Sequence, residues 1–167
     1  ILVAQSNLAG TYEALGRPEA LRMNRDVYSG WLRLHGEEHE KTLRAASNYA
    51  VSLKNLERFE EAKSLLRKTV PVARRVLGES HESTLTTRLV YAKALYKDPV
   101  ATLDDLREAV STFEDAGRIA RRVLGGAHPV TGYMEGDLQK ARAALRAREG
   151  DVEPLRAAVE AMAPGDA

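Results

Sequence analysis

One stretch of the 167-residue chain has the spacing of metal-assisted hydrolysis: His35-Gly36-Glu37-Glu38-His39 places two imidazoles four positions apart with a carboxylate between them. On a continuous helix these residues share a face, and the two His would hold zinc while the Glu acted as general base. Gly36 interrupts any such helix. His39 also has counterparts at His81 and His128, and neither of those has the second His or the Glu at the same spacing. His39 therefore reads as one copy of a repeated residue, and no metal is expected. The chain has no cysteine, which removes disulfides, thiolate metal sites and thiol chemistry. No G-x-x-x-x-G-K-[ST] loop is present and no strand precedes a glycine pair, so nucleotide binding has no support. Twenty-five basic and 24 acidic residues leave a net charge of +1, without a nucleic-acid footprint, and the Arg74-Arg75 and Arg121-Arg122 pairs read as solvated helix faces. No apolar run reaches the roughly 20 residues of a membrane span. The expected protein is not an enzyme and needs no cofactor.

The elements that carry these residues repeat. Gly36-x-x-His39-x-x-Thr42 recurs as Gly78-x-x-His81-x-x-Thr84 and as Gly125-x-x-His128-x-x-Thr131, first after 42 and then after 47 residues. Asn7-Leu8-Ala9 aligns with Asn48-Tyr49-Ala50, Leu15-Gly16-Arg17 with Leu56-Glu57-Arg58, and Arg74–Gly78 with Arg121–Gly125. Such self-similarity marks an array of stacked units. With 44% apolar and only 5% aromatic residues, and Ala, Leu, Arg and Glu dominant, each unit should be a helix pair. In the second unit, helix A is expected from about Glu40 to Leu56 and helix B from about Phe59 to Leu77, with Gly78 as the stop and Pro71 kinking helix B. Asp98 is expected to cap a long third B helix from about Pro99 to Leu124. A degenerate A helix should run from Tyr133 to Glu149, followed after Gly150 by a short helix from Pro154 to Met162, bounded by Pro164-Gly165. Because the chain starts at Ile1 within an amphipathic pattern, the sequence reads as a piece of something longer.

Thr42-Leu43, Asn48, Ala50, Arg58-Phe59-Glu60-Glu61-Ala62 and Val76-Leu77-Gly78-x-x-His81-x-x-Thr84 resemble the tetratricopeptide repeat, in the long form found in kinesin light chains. The resemblance covers about residues 1 to 140. It implies an all-α fold, an α-α superhelix of about three and a half units of 42 residues. The units fall at about 1–42, 43–84, 85–131 and a partial 132–149, with a short cap and tail over 150–167. It further implies a cytoplasmic protein–protein interaction module. The alternative is a structural spacer or self-association array with no dedicated peptide ligand.

Geometry then selects the binding face. With Arg44 at zero and 100° per residue, the apolar set Ala46, Tyr49, Ala50 and Leu53 spans about 140° to 240°. The opposite arc carries Arg44, Ser47, Asn48, Val51, Lys54 and Asn55. Thr86, Leu89, Val90, Lys93, Tyr96 and Lys97 occupy it in the third unit. Val3, Ser6, Asn7, Gly10, Glu13 and Ala14 occupy it in the first. Residues 43–56 and 84–97 contain no Asp or Glu. Arg88 points toward the core and is left out. By the resemblance, A helices line the concave side, and the aligned Asn lines a peptide groove. The candidate site is therefore Asn7, Arg44, Ser47, Asn48, Lys54, Asn55, Lys93 and Lys97, a basic groove for an extended acidic peptide. Trp31 is expected in the core, and each His to bond across the turn between units.

Overall fold

In the structure, a computed structural model, the backbone is described for residues 1–162 and the side chains for residues 1–154. The expected Pro164-Gly165 boundary lies outside the described residues. Among the described residues seven helices follow one another: α1 (Leu2–Ala14), α2 (Glu19–His35), α3 (Glu40–Asn55), α4 (Phe59–Leu77), α5 (Glu82–Lys97), α6 (Leu103–Val123) and α7 (Pro129–Met162). Each helix packs on the next. In addition α1 touches α3, α3 touches α5 and α5 touches α7, whereas α2, α4 and α6 do not touch one another. The odd-numbered (A) helices thus form the close inner row of a stack, and the even-numbered (B) helices form its splayed outer row. Such an arrangement curves with the A helices on the hollow side.

Local chemistry explains the boundaries. Gly36, Gly78 and Gly125 follow B helices with φ of 77°, 90° and 89°, a region that side chains with a Cβ disfavour. The A helices start on histidine. His39 and His81 are N-caps whose Nδ1 accepts from the amides of Lys41 and Ser83 at 3.2 Å, and His128 accepts from Val130 at 3.3 Å. The repeated His is therefore a helix cap rather than a bridge across the turn. Three residues on, Thr42, Thr84 and Thr131 are buried. Thr84 Oγ1 donates to the Ala73 carbonyl at 3.2 Å, while the Thr42 and Thr131 hydroxyls lie buried without a partner among the described residues.

The core runs through the second, third and fourth units, with Leu53, Leu66, Leu85, Leu95, Phe113 and Met134 almost wholly enclosed. Alanines at Ala50, Ala62, Ala92, Ala109 and Ala141 let the helices approach closely. The first unit packs less. Leu8 is exposed, whereas its counterparts Tyr49 and Tyr91 pack against the preceding unit or the core, Tyr49 stacking on Tyr28 at 6.2 Å.

Three further expectations are corrected. Helix α6 starts on a Thr102–Asp105 capping box, in which each side chain bonds the other's backbone amide, and not on Asp98. Asp98 is instead buried in the α5–α6 turn, accepting from Lys63 Nζ at 2.8 Å and from the Val100 amide at 3.0 Å. Lys63 also reaches Glu60 at 2.5 Å and Asp105 at 3.6 Å. Burial opposes its charge, but those acceptors outweigh burial and hold its pKa above the ordinary lysine value. The expected last A helix and terminal helix are one element, α7, running through Gly150 and Pro154. Trp31 is only half-buried: its ring stacks on His35 at 5.4 Å with Lys41 Nζ 4.8 Å from its centroid.

Candidate functional site

The hollow face is built from equivalent positions on α1, α3, α5 and α7. Asn7 on α1 is exposed at its outer end, and Asn48 on α3 is half-exposed between two cavities. The first, of about 500 Å³, lies between the N-terminal halves of α3 and α5 and is lined by Glu40, Arg44, Ser47, Asn48, Glu82 and Thr86 among others. The second, of about 330 Å³, opens between α1 and α3 beside Gly10, Glu13 and Val51. Arg44 is exposed over the first cavity and makes no ion pair among the described residues. Ser47 lies on its floor. Its hydroxyl is 2.7 Å from Thr87 Oγ1 and donates to the Leu43 carbonyl, so it joins α3 to α5.

Lys54, Lys93 and Lys97 gather at the opposite, C-terminal ends of α3 and α5. Burial, then the charges of Lys97 and Lys93, push the Lys54 pKa below its ordinary value. Lys54 Nζ donates to Asn55 Oδ1 at 2.5 Å, and Lys97 is exposed. Arg88, left out by angle, is indeed buried, bonded to Glu79 at 3.2 Å and to Asp115 at 2.5 Å.

Acidic residues from the flanking units enter this face, so it is less uniformly basic than the second and third units alone imply. Glu13 on α1 accepts from Asn55 Nδ2 at 2.5 Å and from the Ser52 hydroxyl. Asp137 on α7 is buried, 3.0 Å from Lys93 Nζ and 2.6 Å from the Tyr96 hydroxyl, which donates to it. Burial raises the Asp137 pKa, but Tyr96 and Lys93 outweigh that and hold it below the usual carboxylate range. Burial, then Asp137, drives the Tyr96 phenol well above its ordinary value. Lys93 also lies 5.0 Å from the centroid of the exposed Tyr133 ring. Sequence reasoning missed Asp137 and Tyr133, although the repeat held the signal. Shifted by 47 residues they fall on Val90 and Thr86, and by a further 42 on Asn48 and Arg44. One position thus reads Asn7, Asn48, Val90, Asp137 along the array.

The His35 and His39 rings stack, centroids 4.3 Å apart, but Gly36 ends α2 between them, and no group of three or more potential ligands converges among the described residues. No described helix is long and apolar enough to cross a membrane.

Residues 42–83, the second unit, match the family model of the tetratricopeptide repeat. The array has the fold of a tetratricopeptide-repeat solenoid. It superposes on the Podosopora anserina structure described as kinesin light chain nearly identical TPR-like repeats with a TM-score of 0.76 and 24% identity, covering 99% of this chain and 77% of that one. A point variant of that protein gives the same score and identity over 98% and 76%. BtubC (BKLC) from P. vanneervenii superposes with a TM-score of 0.64 and 21% identity, covering 99% and 67%. No match is found among curated proteins. Repeats of this type generally mediate protein–protein interaction.

Proposed function

We propose that the solenoid binds an extended acidic segment of a partner protein along its hollow face. The supporting observation is the gathering of Lys54, Lys93 and Lys97 from two neighbouring A helices, on the same hollow face as the half-exposed Asn48. An extended backbone offers donors and acceptors that an Asn side chain meets with both ends of its amide. Carboxylates meet the ammonium groups, and the pairing sets on-rate and specificity. Because Lys93 is already engaged by Asp137, Lys54 and Lys97 carry the attraction.

Fluorescence anisotropy with a labelled acidic peptide tests this reading. Affinity should fall as salt rises. Lys54→Glu with Lys97→Glu should weaken binding at least about tenfold, and Asn48→Ala should weaken it about fivefold to tenfold, one hydrogen bond being worth about 1 kcal/mol. Binding indifferent to salt and to all three substitutions would refute the groove assignment.

A further inference from the structure

We propose that the furrow between α3 and α5 seats a bipolar extended segment of a protein partner, basic at one end and acidic about six or seven residues away. This rests on the reading of the hollow face as a peptide groove, and it specifies the ligand.

The two helices lie side by side and point the same way. Their N-terminal halves share the larger cavity, Ser47 meets Thr87 midway, and their C-terminal lysines influence one another. The charges are segregated along that shared axis. Glu40 and Glu82 stand at the first turns of α3 and α5, both exposed. Glu40 makes no ion pair among the described residues, and Glu82 has only His128 at 3.7 Å. Lys54 and Lys97 occupy the last turns. The acids near that basic end are already engaged, Glu13 by Ser52 and Asn55, Asp137 by Tyr96 and Lys93. Between the ends, Ser47, Asn48 and Thr86 line the furrow with uncharged polar groups.

Fourteen positions separate Glu40 from Lys54 and 15 separate Glu82 from Lys97, so the charged ends lie about 21 to 22 Å apart at 1.5 Å per residue. An extended chain at about 3.3 Å per residue covers that distance in six or seven residues. A wholly acidic segment of this length would set carboxylates against Glu40 and Glu82, where Arg44 is the α3 cation lining the cavity and Lys41 is turned to the Trp31 ring. A segment with a basic end satisfies both rims, and Arg44 is then placed to donate to the ligand's backbone carbonyls. Either chain direction fits, since a segment of reversed order simply lies the other way. Charge separation is therefore the specificity determinant.

Three labelled peptides of about ten residues on a Gly/Ser background test this by fluorescence anisotropy against the intact chain. One carries an arginine pair and an aspartate pair with six residues between their centres. The second has the same length with aspartates at both ends. The third has the two pairs adjacent. The first should bind about tenfold tighter than either of the others. Glu40→Lys with Glu82→Lys should weaken the bipolar peptide about tenfold and strengthen the acidic one, while Lys54→Glu with Lys97→Glu should weaken both. If the acidic peptide binds as tightly as the bipolar one, or the Glu→Lys pair leaves bipolar binding unchanged, the bipolar assignment is overturned while the groove reading stands. If none of the three binds, both fall.

Discussion

Lys63 is the charge on which the third unit is hung, and replacing it with methionine isolates what that charge contributes. Its ammonium is almost fully enclosed and reaches Glu60, Asp98 and Asp105. Lys63→Met affects the three acids unequally. Glu60 is mostly exposed and returns to water, and Asp105 keeps Thr102 and Arg67. Asp98 is buried and retains only the Val100 amide. An unpaired buried charge costs about 3–5 kcal/mol, and the surviving amide bond argues for the lower end, about 3 kcal/mol. For a chain of this size that is a drop in Tm of about 6–12 °C. The double variant Lys63→Met with Asp98→Asn removes the stranded charge while leaving an oxygen to accept from Val100. It should recover to within about 1 kcal/mol of the parent, because replacing both members of a buried pair is often near neutral. Urea unfolding followed by circular dichroism and by Trp31 fluorescence measures both, and two probes are needed because repeat arrays can unfold unit by unit. A single variant within about 1 kcal/mol of the parent, or a double variant no better than the single, would refute the electrostatic reasoning.

Further outcomes follow from other positions. Glu57 sits at φ 58° where the first unit has Gly16 at φ 65°, so Glu57→Gly should stabilise by about 0.5–1 kcal/mol while Gly78→Ala destabilises by about 1 kcal/mol or more in the same urea assay. Thr84→Val loses the bond to Ala73 and should cost about 1 kcal/mol, whereas Thr131→Val, at a hydroxyl buried without a partner, should be neutral or stabilising by differential scanning calorimetry. Because the folded-state pKa of Asp137 is depressed, its contribution is whole above the ordinary carboxylate pKa of about 3.9 and is lost as pH falls through the lower folded value. Asp137→Asn should therefore be less stable than the parent by about 1–2 kcal/mol at neutral pH, and urea midpoints measured down the acid range should converge.

The array was legible wherever local signals and the repeat agreed. Helix α4 begins at Phe59 and ends at Leu77 as expected, and α3 differs from its expected end by one residue, because His39, Gly78 and the apolar stripe all mark the same boundaries. The start of α6 was misread because Asp98 before Pro99 and Thr102 before Asp105 are both sound cap signals. What decides between them is Lys63, which lies 35 residues earlier and needs an anion in its enclosure. Gly150 looked like a stop, but a glycine ends a helix when the chain must turn through positive φ, and Gly150 has no such φ. Part of the hollow face was legible from angles: Arg44 and Asn48 line its larger cavity, Lys54 is half-exposed and Arg88 is buried. Its acids were not, since Glu13 and Asp137 belong to flanking units and reach Asn55 and Lys93 only once the units are stacked.

The contact between Ser47 and Thr87 acts as a fulcrum. The inner row touches and the outer row does not, so the pitch of the stack is set by how thick the side chains are at that seam. One extra methylene there would be magnified with distance from the pivot, prising the second and third units apart and flattening the arc. Small hydroxyl residues at the hinge line thus hold the curvature, and a graded series of bulk at Ser47 amounts to a dial for how widely the hollow gapes.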